Sequence, residues 1–327
     1  MKSIDNAAGM LDRYLQLLDS APVGGNSLFK DHEDKARHES LLNYGLRKLQ
    51  ASLYHLENVN RLIASQSRDY ATAHRVHDLE PFHAGATGAR IVVHSRCFVR
   101  TNAEPYIYEL AAFLEAAKSS LDFLATAFSG YLPGVEADSI QTLIRMAEPT
   151  HKRAASFELN AVKRHLPWLK ELRDYRHHLV HRMVVTASSG HETHREGTIT
   201  SLANMPVVVP KSTPSYYPDT RLARLTEDLP RGLSVMRSRA SFTTSDGHEE
   251  VVDYTIRYEP SPGYIRIEDF MTRHFDTLTC FFADLTTDAI SLGFCTRGRP
   301  CAGKSAQSGR GDPSNRLPPA DKSRKPI

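Results

Sequence analysis

The chain has 327 residues, 40% hydrophobic and 24% charged, enough for one large or two modest domains that each bury a real core. Its 41 Lys and Arg against 38 Asp and Glu leave a formal charge of +3, too near neutrality to announce nucleic-acid binding by itself. No apolar run approaches a membrane span, the first residues pattern as an amphipathic helix rather than a signal peptide, and Cys97, Cys280, Cys295 and Cys301 form no CxxC pair. A reduced, cytoplasmic setting without membrane attachment is the expectation.

Asn6–Leu18 reads as a short helix with Met10, Leu11, Tyr14, Leu15 and Leu18 on one side, followed by a Gly-containing linker. From about His32 to Arg68 a long helix is expected. Leu42, Leu46, Leu49, Leu53, Leu56, Asn60 and Ile63 alternate by four and three, a coiled-coil-like seam with Asn60 as its polar position. That seam serves either a neighbouring helix of an antiparallel bundle or a dimerisation arm. HAGATG at 83–88 is a loop that lacks the Gly-Lys-Ser/Thr ending of a phosphate loop, and the apolar run 91–99 suits strand or helix.

A second strong helix starts after Asn102, with Pro105 in its first turn and an apolar face from Tyr106 to Phe128. Glu109 borders that face and Asp122 lies further round. A short helix over 139–147 and a segment at 156–165 lead to the stretch 166–183, LPWLKELRDYRHHLVHRM. There Leu169, Leu172, Leu179 and Met183 recur at spacings of three, seven and four, and placing Arg176 in the gap completes a core-facing stripe. Arg176 is therefore expected to face the interior. A cation in such a seam must be paired, solvated in a cleft or meeting an anion; Glu109 and Asp122 are the candidate ion-pair partners.

After Val185 the sequence turns polar and loop-like over 186–201, and MPVVVP reads as a short strand. Residues 233–243 and 251–258 flank Asp246-Gly247, a strong hairpin signal. Ile267–Leu292 returns to helix. From Thr296 onward Gly, Pro, Ser and basic residues dominate, and a disordered basic tail is expected. The layout is an N-terminal helical region (1–100), a helical core (101–185), a β-containing insertion (186–262), a closing helix (263–295) and the tail (296–327).

Arg176-His177-His178-Leu179-Val180-His181 fits the pattern Arg–polar–x–x–x–His, and in this helical setting the chain resembles HEPN domains (higher eukaryotes and prokaryotes nucleotide-binding). The resemblance covers about 101–185 and the closing helix. It implies a helical bundle and a homodimer that brings two motifs to one cleft; with the hairpin read from 186–262, the expected fold is mainly α, a helical bundle carrying a small β-hairpin insertion. It also implies metal-independent cleavage of RNA, with no cofactor, and leaves room for an antitoxin or immunity partner. Met183 stands where many toxin members carry Tyr, so the modification-controlled subtype is not expected. Arg176 and His181 would be catalytic, with His177 and Arg173 binding substrate. The residue types suit this chemistry: histidine titrates near neutrality, and arginine offers phosphate a planar fork of donors.

Other readings stay open at this point. Zinc is one, because His177 and His181 are spaced i,i+4 and His191 and His194 lie downstream; but His178 stands where HExxH needs glutamate, no third ligand stands out, and no metal is assigned. No serine or cysteine occupies a nucleophile elbow. A non-catalytic RNA- or nucleotide-binding module and an oligomeric protein scaffold are the remaining alternatives.

Overall fold

The computed structural model describes residues 2–78, 94–132, 134–152, 154, 157–181, 189–196, 199–212, 232–247 and 249–294. Along the chain these form α1 (Lys2–Asp19), α2 (His32–Asp78), β1 (His94–Thr101), α3 (Glu104–Ser129), α4 (Ile140–Ala147), α5 (Asn160–Arg164) and α6 (Leu166–His181). Then come β2 (Ser189–Glu196), β3 (Ile199–Met205), β4 (Val208–Pro210), β5 (Leu233–Thr243), β6 (Glu249–Pro260), β7 (Tyr264–Arg266) and α7 (Ile267–Leu292). The described protein is mainly helical with small antiparallel sheets. No helix among the described residues is long and apolar enough to cross a membrane.

α3 is the central helix, packed by α2, α4, α6 and α7. Its apolar face buries Tyr106, Leu110, Phe113, Leu114, Leu121, Leu124 and Phe128, and Ala116 and Ala117 admit close neighbours. α2 runs antiparallel to it: Gln66 meets the Tyr106 hydroxyl (2.9 Å), His55 meets Glu109 (2.7 Å), and Ser120 donates to the Gly45 carbonyl (2.8 Å). This contact consumes the leucine seam. Leu42, Leu49 and Leu56 are buried within the chain, Val59 takes the next inward position, and Asn60 faces solvent. The seam is thus an internal one, and Asn60 is not its polar member. Fully burying each such leucine is worth about 1.5–3 kcal/mol, which is why α2 needs no partner chain to hold its apolar face.

α7 closes the bundle with Phe270, Phe281, Phe282 and Leu285 in the core. α6 lies antiparallel to α7, with His165 bonded to Asp284 (3.0 Å), Trp168 to His274 (3.0 Å) and the Tyr175 ring tilted against Phe270, centroids 4.5 Å apart. The start of α4 is fixed from α3: Asp122 accepts from the Ile140 N–H and the Ser139 hydroxyl, 3.0 Å each. Ser139 in turn caps α4 by accepting from the Gln141 N–H.

The β portion departs most from the sequence expectation. The stretch 186–201, read as loop, contains β2 and the start of β3, which pair antiparallel, and β1 adds to the free edge of β2. The apolar run at 91–99 therefore contributes a strand to the insertion's sheet, across a boundary drawn at 100. Polar strands escape notice because alternation of apolar residues is the usual signal, whereas the backbone ladder needs none. MPVVVP divides: Met205 ends β3, and only Val208–Pro210 form β4, which pairs with β7. The β5–β6 hairpin forms as expected, with Gly247 at φ +82° in its turn. Ile256 and Tyr258 are buried beside Ala203, Met205, Val208 and Leu233, but Val252 nearer the tip is exposed, because the hairpin extends beyond its cover. The expected tail (296–327) and Met183 lie outside the described residues.

Candidate functional site

The motif helix α6 begins with Leu166 and Pro167, and its Leu169 N–H bonds back to the His165 carbonyl (2.9 Å). Its buried positions are Leu169, Leu172, Tyr175 and Leu179, spaced three, three and four. The stripe thus passes through Tyr175, 4% exposed, and not through Arg176. The expectation that Arg176 faces the interior is corrected: a tyrosine, with a broad apolar body, fills the inward position, and the arginine stands on the stripe's border.

There Arg176 keeps a quarter of its side chain in solvent (25%) and donates to Glu115 on α3, from Nε at 2.7 Å and Nη2 at 2.6 Å. Glu115 is itself 44% exposed. Neither carboxylate chosen from the sequence takes this role. Glu109 points to α2, where His55 (2.7 Å) and Asn58 (3.2 Å) hold it. Asp122 is occupied by Lys118 and by the head of α4. Helix geometry explains both misses: Glu109 and Glu115 differ by six residues, about 120° round the helix axis at ~100° per residue, so they face different neighbours, whereas Asp122 shares the face of Glu115 but lies about 10 Å further along the axis.

Arg173 binds its neighbour Asp174 (2.7 Å) and Gln141 at the first turn of α4 (3.3 Å), which ties α6 to α4. His177 is exposed. His181 ends α6, and its side chain lies outside what the structure describes. Along a regular helix its position is about 7.5 Å and ~140° from Arg176. Arg173 meets the start of α4, which is itself held at Asp122 of α3, whereas Arg176 meets Glu115, two turns earlier on α3; α6 therefore runs antiparallel to α3, and its histidine end advances toward the N-terminal turns of α3.

His191 and His194 lie on β2 rather than in a loop, and the His194 ring stacks on Tyr254 at 4.1 Å. Among the described residues no group of three or more His, Cys, Asp and Glu is placed to hold a metal ion.

Two buried histidines escaped the sequence reading. His38, between Phe29 and Phe128, accepts from the Tyr14 hydroxyl (2.8 Å), and Tyr131 adjoins Tyr14 at 2.9 Å. Burial pulls the His38 pKa down to about 4, opposed by its bond to the Ala127 backbone. Proton bookkeeping then orders the chain: His38 gives its one N–H to the Ala127 carbonyl, Tyr14 donates to Nε2, and Tyr131 donates to Tyr14. The two tyrosine hydroxyls are pushed up by burial. His274 in α7 accepts the indole N–H of Trp168 at Nδ1 (3.0 Å), and the Arg273 guanidinium lies 3.2 Å from its Nε2. Burial first, and then the Arg273 guanidinium, hold its pKa down to about 3. Both imidazoles are neutral structural links at ordinary pH. A third buried polar group, Glu192 on β2, lies against Arg237 (3.3 Å) and the Tyr258 hydroxyl and joins the two larger sheets.

No family model, no curated protein and no solved structure matches the chain.

Proposed function

We propose that this chain is a HEPN-like, metal-independent endoribonuclease that acts as a dimer. The observation that carries the reading is the state of Arg176. It is a guanidinium on the border of the motif helix, part in solvent, paired with Glu115, a carboxylate nearly half in solvent. Such a pair is weakly held, and a phosphate can take the carboxylate's place on the same fork of donors.

In the reaction the RNA's own 2′-hydroxyl attacks the adjacent phosphorus. His181 of one chain takes the hydroxyl proton, and its counterpart in the second chain protonates the departing 5′-oxygen. Arg176 stabilises the charge that develops on the phosphate oxygens. One helix supplies one histidine, so two roles call for two copies. His177, exposed one turn before His181, and Arg173, which is tied to Asp174 and Gln141, would line the approach.

The test is purified dimer acting on single-stranded RNA. Cleavage that survives EDTA, leaves 2′,3′-cyclic phosphate ends and disappears in His181→Ala and Arg176→Ala is the expected result. Sensitivity to chelation, or a monomer at micromolar concentration, counts against it.

One observation favours a second reading. Glu115 already satisfies Arg176, as it would in a HEPN-like bundle that has no catalysis and serves as an RNA- or nucleotide-binding module or a protein scaffold. Pure dimer that cuts no RNA across varied sequences, while Arg176→Ala is strongly destabilised, selects that reading.

A further inference from the structure

An open groove of about 520 Å³ lies between α2 and the first turns of α3, lined by Asn58, Arg61, Ser65 and Arg68 on one wall and by Pro105 and Tyr108 on the other. From its position and chemistry we infer that this groove is a binding track for single-stranded RNA, with Tyr108 as the surface on which a base stacks and Arg61 and Arg68 as contacts for the phosphates. The inference rests on the ribonuclease reading for its choice of nucleic acid, and it adds a site away from the motif.

Tyr108 is 66% exposed, unusual for so large a ring on a helix whose other aromatics are buried or half-buried. Every base has a face that can lie on such a ring, so stacking holds a strand without reading its sequence. Arg61 and Arg68 are seven residues apart on α2 and share a face, separated by about 10 Å along the axis. Both reach into solvent. Among the described residues the head of Arg61 bonds Asn58 (3.0 Å) and Glu57 (3.4 Å) of its own helix, an exposed pairing of small worth that phosphate can replace. The one carboxylate in the groove wall, Glu109, is already taken by His55 and Asn58, which blunts its repulsion of an anion.

The groove also lines up with the motif. Tyr108 and Glu115 are seven residues apart, so they fall within ~20° of one another round α3 and about 10 Å along it. Arg176 meets Glu115 from the other flank. A strand lying along the outward stripe of α3 therefore passes from the Arg61/Arg68 wall to Arg176. The groove is open to solvent, which suits a passing chain better than a free nucleotide held in an enclosed pocket.

The experiment is fluorescence anisotropy of a labelled, unstructured oligouridylate with the full chain, carried in a His181→Ala background so that the probe stays whole. Tyr108→Ala is expected to weaken binding about tenfold, and Tyr108→Phe to keep it, since the ring and not the hydroxyl is used. Arg61→Ala and Arg68→Ala should each lower the slope of log affinity against log salt by about 0.7. Tyr108, Arg61 and Arg68 all face solvent, and an unchanged melting temperature verifies the fold. Binding unaffected by Tyr108→Ala overturns the inference, as does equal loss in the Phe and Ala variants or no binding of the oligonucleotide at all. The two readings fail separately. Tyr108-dependent binding without cleavage by the parent protein removes the catalytic proposal and keeps the track, whereas cleavage with Tyr108-independent binding does the reverse.

Discussion

Breaking the Arg176–Glu115 pair is the perturbation that separates a working arginine from a structural one. Both donor contacts end on one oxygen, Oε1, at 2.6 and 2.7 Å, so the second carboxylate oxygen gains nothing from the pair. With the two side chains 25% and 44% exposed, water screens the attraction. Exposed pairs contribute about 0.2–1 kcal/mol in double-mutant cycles, whereas removing one member of a sealed pair costs about 3–5 kcal/mol. A cycle of Arg176→Ala, Glu115→Ala and the double variant, followed by urea unfolding, should return a coupling of about 0.5–1 kcal/mol. Arg176→Ala alone should cost about 1 kcal/mol, part of it from the lost packing of the aliphatic stem, or a fall of about 2–4 °C in melting temperature. Glu115→Gln should then leave the fold intact and raise RNA affinity, because the competitor of phosphate has gone. A coupling above about 3 kcal/mol, or RNA affinity that falls in Glu115→Gln, would refute the reasoning and assign the arginine to the fold.

Acid should unfold the protein partly through His38, whose folded pKa of about 4 lies below the unfolded value of about 6.5. The neutral form is the one the fold holds, so this contribution, on the order of 3 kcal/mol at most, is complete above about pH 6.5 and is lost as pH falls toward 4. The stability gap between wild type and His38→Gln should therefore narrow over that window in urea titrations, and a constant gap would contradict it. Asn60→Leu, on the solvent side of α2, should leave the sedimentation coefficient unchanged and shift stability by less than about 0.5 kcal/mol; a change of oligomeric state would make that face an interface. Gly232→Ala should cost about 2–4 kcal/mol by thermal unfolding, since φ is +86° there and a Cβ would run into the Tyr264 ring. A neutral result would mean that the turn relaxes freely.

The helices were legible because each long one has a continuous apolar face with a partner to match. Leu42, Leu49 and Leu56 against the alanine- and leucine-rich face of α3 is a pattern that only burial explains, and burial is what the structure has. The strands β2 and β3 were not legible. β2 is polar throughout and the start of β3 continues a polar stretch, and what specifies them is the pairing of β2 with β3 and with β1, nearly a hundred residues earlier in the chain, together with one inward carboxylate. A buried Glu192 is favourable only once Arg237 and Tyr258 arrive from β5 and β6. No local pattern foretells a charge whose partners lie more than forty residues downstream.

The site shows the same limit on a smaller scale. The spacing of Leu169, Leu172 and Leu179 is compatible with an inward residue at 175 or at 176, because a helix turn of ~3.6 residues leaves both within reach of the seam. Tyr175 wins since its ring packs against Phe270 while its neighbour Arg176 keeps a quarter of its side chain in solvent, and a cation in the place of Tyr175 would need a fully buried anion, which neither α3 nor α7 carries. Placing Arg176 on the border changes what the motif can do. An inward arginine would be spent on the fold; a bordering one, balanced by a carboxylate that water also reaches, holds a charge that can be exchanged. Whether α6 is a seam or a site turns on that one residue step, and the pair with Glu115 is where phosphate would have to compete.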